Sequence, residues 1–201
     1  MRSFITLTAC LLITNYLTAQ SIINYGSLAT FSKNGNLQIV VEIPAGTNKK
    51  LEYNYDTNTF PVDIKDGKER IINFLPYPGN YGFIPLTSMK ISEGGDGDSL
   101  DVLVLSQHMA VGTIMEVIPI AVLHLIDGGE IDNKIIAVPA NLNDQVVIAS
   151  TYNQLNKDYP EVKKLIELWF LSYKGNGLMI SNGWSDEKKA EDEINKWRLV
   201  D

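Results

Sequence analysis

From Gln38 to about residue 140 the sequence falls into short β-type runs separated by turn residues, and this pattern confines most of the chain to sheet. Gln38-Ile39-Val40-Val41-Glu42-Ile43 stops at Pro44-Ala45-Gly46. Lys50-Leu51-Glu52-Tyr53-Asn54-Tyr55 alternates polar with apolar residues. That alternation predicts a strand with one wet face and sets Lys50 and Glu52 on the same side. Val102-Leu103-Val104-Leu105 is an unbroken apolar run of strand length, Ile114 to Ile126 is rich in β-branched residues, and Lys134-Ile135-Ile136-Ala137-Val138 follows a Gly-Gly turn.

The last third changes period. After Pro160-Glu161, the residues Val162, Leu165, Ile166, Trp169, Phe170 and Tyr173 share one helical face, with Asp158 near the start and Gly175 beyond the end. A second helix is predicted from Ser185 to about Trp197, with Ser185 as its N-cap and Asp186 and Glu187 in the electropositive first turn. Short strands followed by two helices predict an α+β fold, mostly β, with helices flanking a β-barrel. The chain has 201 residues, no internal repeat and no long linker, which favours one domain.

The first twenty residues stand apart. Arg2 precedes an uncharged, mostly apolar stretch over 4–14, and Leu17-Thr18-Ala19 offers a small residue just before Gln20. This is the layout of a secretory signal peptide, too short in its apolar part to span a bilayer comfortably. The expected division is a signal over 1–19 and one domain over 20–201, whose polar, turn-rich residues 20–37 form an arm or opening hairpin. Export to a periplasmic or external space follows, with no stable membrane insertion after processing; a retained leader would leave the protein cytoplasmic. Reading Leu7-Thr8-Ala9-Cys10 as a lipoprotein box ranks lower, because too few residues precede Cys10 for a full apolar region. Cys10 is the only cysteine, so a processed chain would have neither a disulfide nor a thiol nucleophile. The formal net charge of −7 argues against nucleic acid or an anionic membrane surface as a partner, and loss of Arg2 makes it more negative.

Gly94-Gly95-Asp96-Gly97-Asp98-Ser99-Leu100-Asp101 leads straight into the Val102 strand. Three carboxylates within six residues repel one another unless cations sit between them, and the glycines free the backbone to turn those oxygens toward a common point. Hard cations such as Mg²⁺ take one or two carboxylates each and complete their shell with water and phosphate. Alone, the segment also reads as an Asp/Gly surface turn. It is not an EF-hand: counted from Asp96, Leu100 stands fifth, Asp101 sixth and Gln107 twelfth, where Asp or Asn, Gly and Glu are required. Asp127 and Asp132 flank a second turn, with Lys134 just beyond, and Glu42, Lys50 and Glu52 lie on earlier β segments. Acids mixed with lysines on four separate β segments suit a polyanion held between metals and cationic side chains.

These residues together resemble the soluble single-domain family of inorganic pyrophosphatases, over about residues 38–190. Asp96-Gly97-Asp98-Ser99-Leu100-Asp101-Val102 is similar to that family's Asp-x-Asp-x-x-Asp motif, Lys50-Leu51-Glu52 to its Lys-x-Glu pair, and Tyr77-Pro78-Gly79-Asn80-Tyr81-Gly82 to its Tyr-Pro-x-Asn-Tyr-Gly loop. Val41-Glu42-Ile43-Pro44-Ala45 resembles the opening strand, and Asp127, Asp132 and Lys134 match an Asp-x4-Asp-x-Lys element followed by Ala137-Val138-Pro139. Tyr173-Lys174 resembles the family's phosphate-contacting pair. The chain departs from the pattern at Ser99, where proline is common, and at Arg70, which sits one residue nearer Tyr77 after an inserted-looking stretch, Asp63–Glu69. The Asp-His-His element of the unrelated Mn²⁺-dependent pyrophosphatases is missing, and His108 and His124 are isolated, with packing or surface roles expected.

The resemblance implies a five-stranded OB-like barrel with helices, several Mg²⁺ ions, pyrophosphate as substrate and a homo-oligomer. It implies Asp96, Asp101 and Asp132 as ligands of a metal pair, with Asp101 bridging; Asp127 and Asp132 as partners of substrate-borne metal; and Glu42 as an outer participant. Asp98 becomes the base that takes a proton from the attacking water. Lys50, Arg70, Tyr81, Tyr173 and Lys174 become phosphate contacts, Arg70 also catalytic, with Lys134 adding charge and Glu52 completing the site. Two rivals keep the carboxylates: an exported module binding Ca²⁺ or a phosphorylated ligand without catalysis, and a hydrolase of short polyphosphates or nucleotides.

Overall fold

Alternate residues of Leu37–Ile43 (β1) drive Leu37, Ile39 and Val41 into one core cluster, and a register shift between Val41 and Ile43 sends Ile43 to another. In this computed structural model residues 23–175 and 177–199 are described. The signal-peptide reading of 1–19 therefore lies outside the described residues, as do the first residues of the arm. The bulge leaves Glu42 unpaired in the ladder, which is how a strand re-aims one side chain.

The remaining strands are β2 (Ile64–Lys65), β3 (Lys68–Glu69), β4 (Asn80–Phe83), β5 (Asp101–Val104), β6 (Ile114–Asp127), β7 (Glu130–Ile131), β8 (Lys134–Pro139) and β9 (Met179–Asp186). β1, β4, β5, β8 and β6 pair in that order, and β6 pairs back to β1, closing a ring of five strands. All contacts in the ring are antiparallel except β5 with β8. The fold is α+β, mostly β, as expected. Closure removes the unpaired edges that an open sheet of this size would expose. Gly82 is required where β4 crosses β1, since a side chain there would collide with the Val40 carbonyl. Pro119, within the long β6, coincides with a register shift against β8, the kind of position a strand proline tolerates.

Both faces of the ring are covered, which explains the unbroken apolar run at 102–105. Leu103, Leu123 and Ile136 cluster with Ile166, Trp169 and Phe170 of α2 (Pro160–Ser172). Val102, Val104, Val122 and Ile135 cluster with Ala190, Ile194 and Trp197 of α3 (Glu187–Trp197).

Several local expectations are corrected. Asp186, not Ser185, caps α3, accepting from Lys189 N at 3.0 Å. Ser185 belongs to β9, where its hydroxyl lies 2.9 Å from His124 Nε2. Residues 50–55 do not form a continuous strand; Leu51 and Asn54 make isolated bridges to Val62 and Thr59, and Glu52 sits between them. A third helix, α1 (Tyr152–Asp158), precedes α2, and β9 adds a strand beside β6. The arm, within the described residues, is a 3-10 turn at Tyr25–Ser27 followed by a bridge from Phe31 to Leu37.

Candidate active site

One end of the ring opens into a cavity of about 330 Å³. Every residue singled out from the sequence as a site candidate lines it. The carboxylates are Glu42 from β1, Glu52, the trio Asp96, Asp98 and Asp101, and the pair Asp127 and Asp132. The cations are Lys50, Arg70, Lys134 and Lys174, and Tyr81 and Tyr173 complete the wall.

The chain brings these groups together by simple means. β5 starts at Asp101, and β6 ends at Asp127. β5 runs parallel to β8 with Asp101 opposite Lys134, so the acids on either side of two turns meet. Gly94 and Gly97 carry φ of 89° and 95°, values that only glycine adopts cheaply, and let residues 94–98 turn back on themselves. The Asp98 amide donates to Asp96 Oδ1 at 2.9 Å, fixing that turn. Tyr173 is held by stacking on Trp169, with ring centroids 4.6 Å apart and planes 7° apart, while Trp169 donates to the Leu75 carbonyl at 2.9 Å.

At the floor, Lys134 exposes 2% of its surface and its ammonium lies between Asp101 and Asp132, 2.5 Å from Asp132 Oδ1. Burial alone would depress this lysine, yet Asp101 and Asp132 hold it above its ordinary value, so it stays charged. Tyr81 donates to Asp101 Oδ2 at 2.5 Å, and burial followed by the Asp101 charge keeps that phenol protonated. Lys134 and Tyr81 are thus both bonded to carboxylates at the floor.

Asp98 faces solvent on one edge, but lost hydration and then Asp96, Asp101 and Glu52 push its carboxyl up to about 6. Glu42 is buried, accepts from Tyr53 N at 2.7 Å, and is pushed up to about 8, chiefly by burial. Elsewhere around the cavity Lys174 pairs with Asp127, Lys50 pairs with Glu52, and Arg70 Nη1 donates to Asp63 Oδ2 at 2.9 Å.

Sequence reasoning missed Asp63 and Tyr55. Asp63 stands at one foot of the β2–β3 hairpin and Arg70 at the other, with Arg70 N donating to the Asp63 carbonyl at 2.8 Å. The inserted-looking stretch is thus a hairpin whose closure brings a carboxylate to the guanidinium. Burial opposes ionisation of Asp63, but the Arg70 hydrogen bond and nearby Lys50 hold its carboxyl below the usual range. His108 and His124 bond to the Ala45 carbonyl and Ser185 instead of the site.

Seven acids against four cations leave the cavity short of positive charge for a polyanion. All the anionic donors are oxygen, with no thiol or imidazole among the described residues of the lining, which suits a hard divalent cation. Among the described residues no three acidic, histidine or cysteine side chains close on a single point as they stand.

Residues 39–199 match the profile of the family described as inorganic pyrophosphatase. The chain belongs to the inorganic pyrophosphatase family. The inorganic pyrophosphatase of Neisseria meningitidis serogroup B is 34% identical over 171 residues, covering 81% of this chain and 89% of that protein. That of Saccharolobus solfataricus is 34% identical over 167 residues, covering 80% and 88%. The crystal structure of an inorganic pyrophosphatase from Neisseria gonorrhoeae superposes with a TM-score of 0.72 at 33% identity, covering 86% of this chain and 96% of that one. As a member of this family the chain is a hydrolase of inorganic pyrophosphate. Among the described residues no helix is long and apolar enough to cross a membrane.

Proposed function

We propose that this cavity hydrolyses pyrophosphate with Mg²⁺ as the metal, and that the candidate residues divide the work by charge and depth. The observation that carries the reading is Lys134, buried between Asp101 and Asp132: it holds two carboxylates side by side that would otherwise repel. Asp96, Asp101 and Asp132 are the ligands proposed for a metal pair, with Asp127 and Asp132 facing substrate-borne metal and Glu42 behind them. When bound, Mg²⁺ neutralises phosphoryl oxygens and makes a water acidic enough to attack near neutral pH.

The chain's own groups account for the rest. Asp98 lies between the metal aspartates in sequence, and its raised carboxyl suits it to accept the proton of the attacking water. The new P–O bond forms as the bridging P–O bond breaks, and the electron pair leaves on the bridging oxygen. Arg70, Lys50, Tyr173 and Lys174 grip the phosphoryl oxygens, the guanidinium by two parallel bonds and the lysines as point charges. Tyr81 and Lys134 act through Asp101, to which both are bonded, Lys134 adding charge beneath the phosphate contacts. A non-catalytic Ca²⁺ module would have no use for Asp98 set apart from the buried ion pairs.

Phosphate release from pyrophosphate, tripolyphosphate and ATP, in Mg²⁺ and in Ca²⁺, tests the reading. It predicts turnover of pyrophosphate well above the others in Mg²⁺; binding without release, or a nucleotide preference, would overturn it. Export and a homo-oligomer belong to the same proposal. A native N-terminus near Gln20 supports export and an intact Met1 refutes it, while light scattering on the purified protein gives the subunit count.

A further inference from the structure

Ser99 is the residue next to Asp98, and its hydroxyl is bonded from two directions. It donates to the Thr87 carbonyl at 3.1 Å, and the Tyr55 hydroxyl lies 2.6 Å away. A serine has one proton to give, so with that proton on Thr87 it is Tyr55 that donates to Ser99. Behind the loop, Leu100 N donates to Thr87 Oγ1 at 2.9 Å, Met89 N to the Asp98 carbonyl at 2.7 Å, and Gly97 N to the Met89 carbonyl at 2.7 Å. Tyr55 reaches the loop from elsewhere, the segment that also carries Lys50 and Glu52 into the cavity.

Tyr55 is 58% exposed, so its position depends on the few groups that touch its ring. Tyr53 packs edge-on at 4.7 Å between centroids. Gly26 covers another side so closely that a Cβ there would come within 2.8 Å of the Tyr55 ring, and its amide donates to Tyr53 Oη at 3.1 Å. The turn at Tyr25–Ser27, remote from the cavity in sequence and absent from its lining, thereby seats the tyrosine that bonds the loop.

We propose that Tyr55 is a positioning residue for pyrophosphate hydrolysis: it latches the Asp96–Asp101 loop through Ser99 and so fixes the orientation of Asp98, with the N-terminal turn holding the latch in place. The proposal rests on the hydrolytic reading above. A latch of this kind acts on the geometry of the attacking water and not on the grip on phosphate, which lies with Arg70, Lys50, Tyr173 and Lys174.

The test uses the full chain with Tyr55→Phe, which keeps the ring and removes only the hydroxyl, alongside Ser99→Ala, the double variant and Gly26→Ala. Loss of one net hydrogen bond predicts a kcat lower by roughly two- to tenfold for Tyr55→Phe, with KM for pyrophosphate within about twofold of wild type. The double variant is expected to be no slower than Ser99→Ala alone, and Gly26→Ala to fall in the same direction as Tyr55→Phe. In metal-free protein, hydrogen exchange of the amides at 96–100 should accelerate in Tyr55→Phe while exchange in β8 stays put. The latch is wrong if Tyr55→Phe moves KM alone, if the two single effects multiply, or if exchange at 96–100 is unchanged. A wild-type protein that releases no phosphate would instead remove the hydrolytic reading, and the exchange measurement would still decide whether the latch exists.

Discussion

Lys134 Nζ and Asp132 Oδ1 lie 2.5 Å apart at the floor of the cavity, two residues apart on the chain, and both side chains are almost wholly withdrawn from water. The lysine is shared with Asp101 across the parallel β5–β8 pair. Removing the ammonium leaves two carboxylates facing each other with no counter-charge. Lys134→Met is predicted to destabilise the metal-free protein by about 2–4 kcal/mol, near the range for breaking a buried pair and reduced because Asp101 is partly exposed. Mg²⁺ should return part of that loss by taking over the neutralisation. Urea titrations in EDTA and in Mg²⁺ measure both, and equal losses in the two conditions would contradict the prediction.

Asp98→Asn keeps the size and the Asp96–Asp98 turn but cannot take a proton. A fall in kcat of roughly 10²–10⁴ is expected, the usual scale for a general base, with the fold intact by circular dichroism. Because the base must be ionised, wild-type activity should fall as pH drops below the Asp98 value. That value is about 6 without metal, and bound cations lower it, so about 6 is the upper limit for the acid limb. The limb should vanish from the residual activity of the asparagine variant.

Arg70 is fixed by Asp63 at the base of the hairpin, and a guanidinium offers phosphate two parallel bonds that an ammonium cannot. Arg70→Lys should therefore raise KM for pyrophosphate by roughly tenfold or more, the cost of a charge-assisted hydrogen bond. A lysine variant with wild-type KM and kcat would remove Arg70 from the phosphate site. Asp63→Asn is expected to shift the same parameter in the same direction.

How much of this was legible in the sequence follows from which signals are local. The continuous apolar run at 102–105 and the i, i+3, i+4 spacing from Val162 to Tyr173 both became the elements expected, although Leu165 of that spacing is 63% exposed and the buried face of α2 is Ile166, Trp169 and Phe170. The acids were legible because three of them recur among the glycines of 94–101 and further acids with lysines stand on separate β segments, a combination that a surface turn alone does not explain. β9 was not: Met179–Asp186 reads Met-Ile-Ser-Asn-Gly-Trp-Ser-Asp with no clean alternation, and it is a strand because β6 runs long enough to pair with it, around Gly183 at φ 88°. α1 escaped for want of length, since seven residues with one buried leucine carry no period. Conversely, the alternation at 50–55 promised a strand and gave only bridges, the segment facing the cavity instead of a continuous partner. Contacts such as Tyr55 with Ser99 or Asp63 with Arg70 join distant residues or the two ends of a hairpin, and no periodicity announces them.

Glu42 makes a prediction about stability. Its carboxyl is pushed up to about 8 by burial, against 4.5 for an ordinary glutamate. The native state therefore holds this proton more tightly than the unfolded chain, so its contribution is complete below about pH 4.5 and is lost as pH rises through about 8. Glu42→Gln keeps an oxygen for Tyr53 N and carries no charge at any pH. In EDTA at pH 8 the variant should melt higher than wild type, at roughly 2–4 °C for each kcal/mol of charge burial relieved, with the difference shrinking toward pH 5. A difference that grows on acidification would reverse the assignment.

Removal of metal is the most direct probe of the cavity's charge. With seven acids and four cations around about 330 Å³, the lining carries excess negative charge, and part of the native stability should come from whatever cation enters. Addition of Mg²⁺ to EDTA-stripped protein is expected to raise stability by about 2.7 kcal/mol at a hundred times the dissociation constant, for a single site that the unfolded chain lacks. The gain should be smaller in Asp101→Asn and Asp132→Asn, which each remove a proposed ligand, and nearly unchanged in Glu161→Gln, in the first turn of α2 and outside the lining. Hydrolysis should stop in EDTA and return with Mg²⁺ in the wild type. If Mg²⁺ stabilises all four proteins equally, the ion binds somewhere other than between these aspartates.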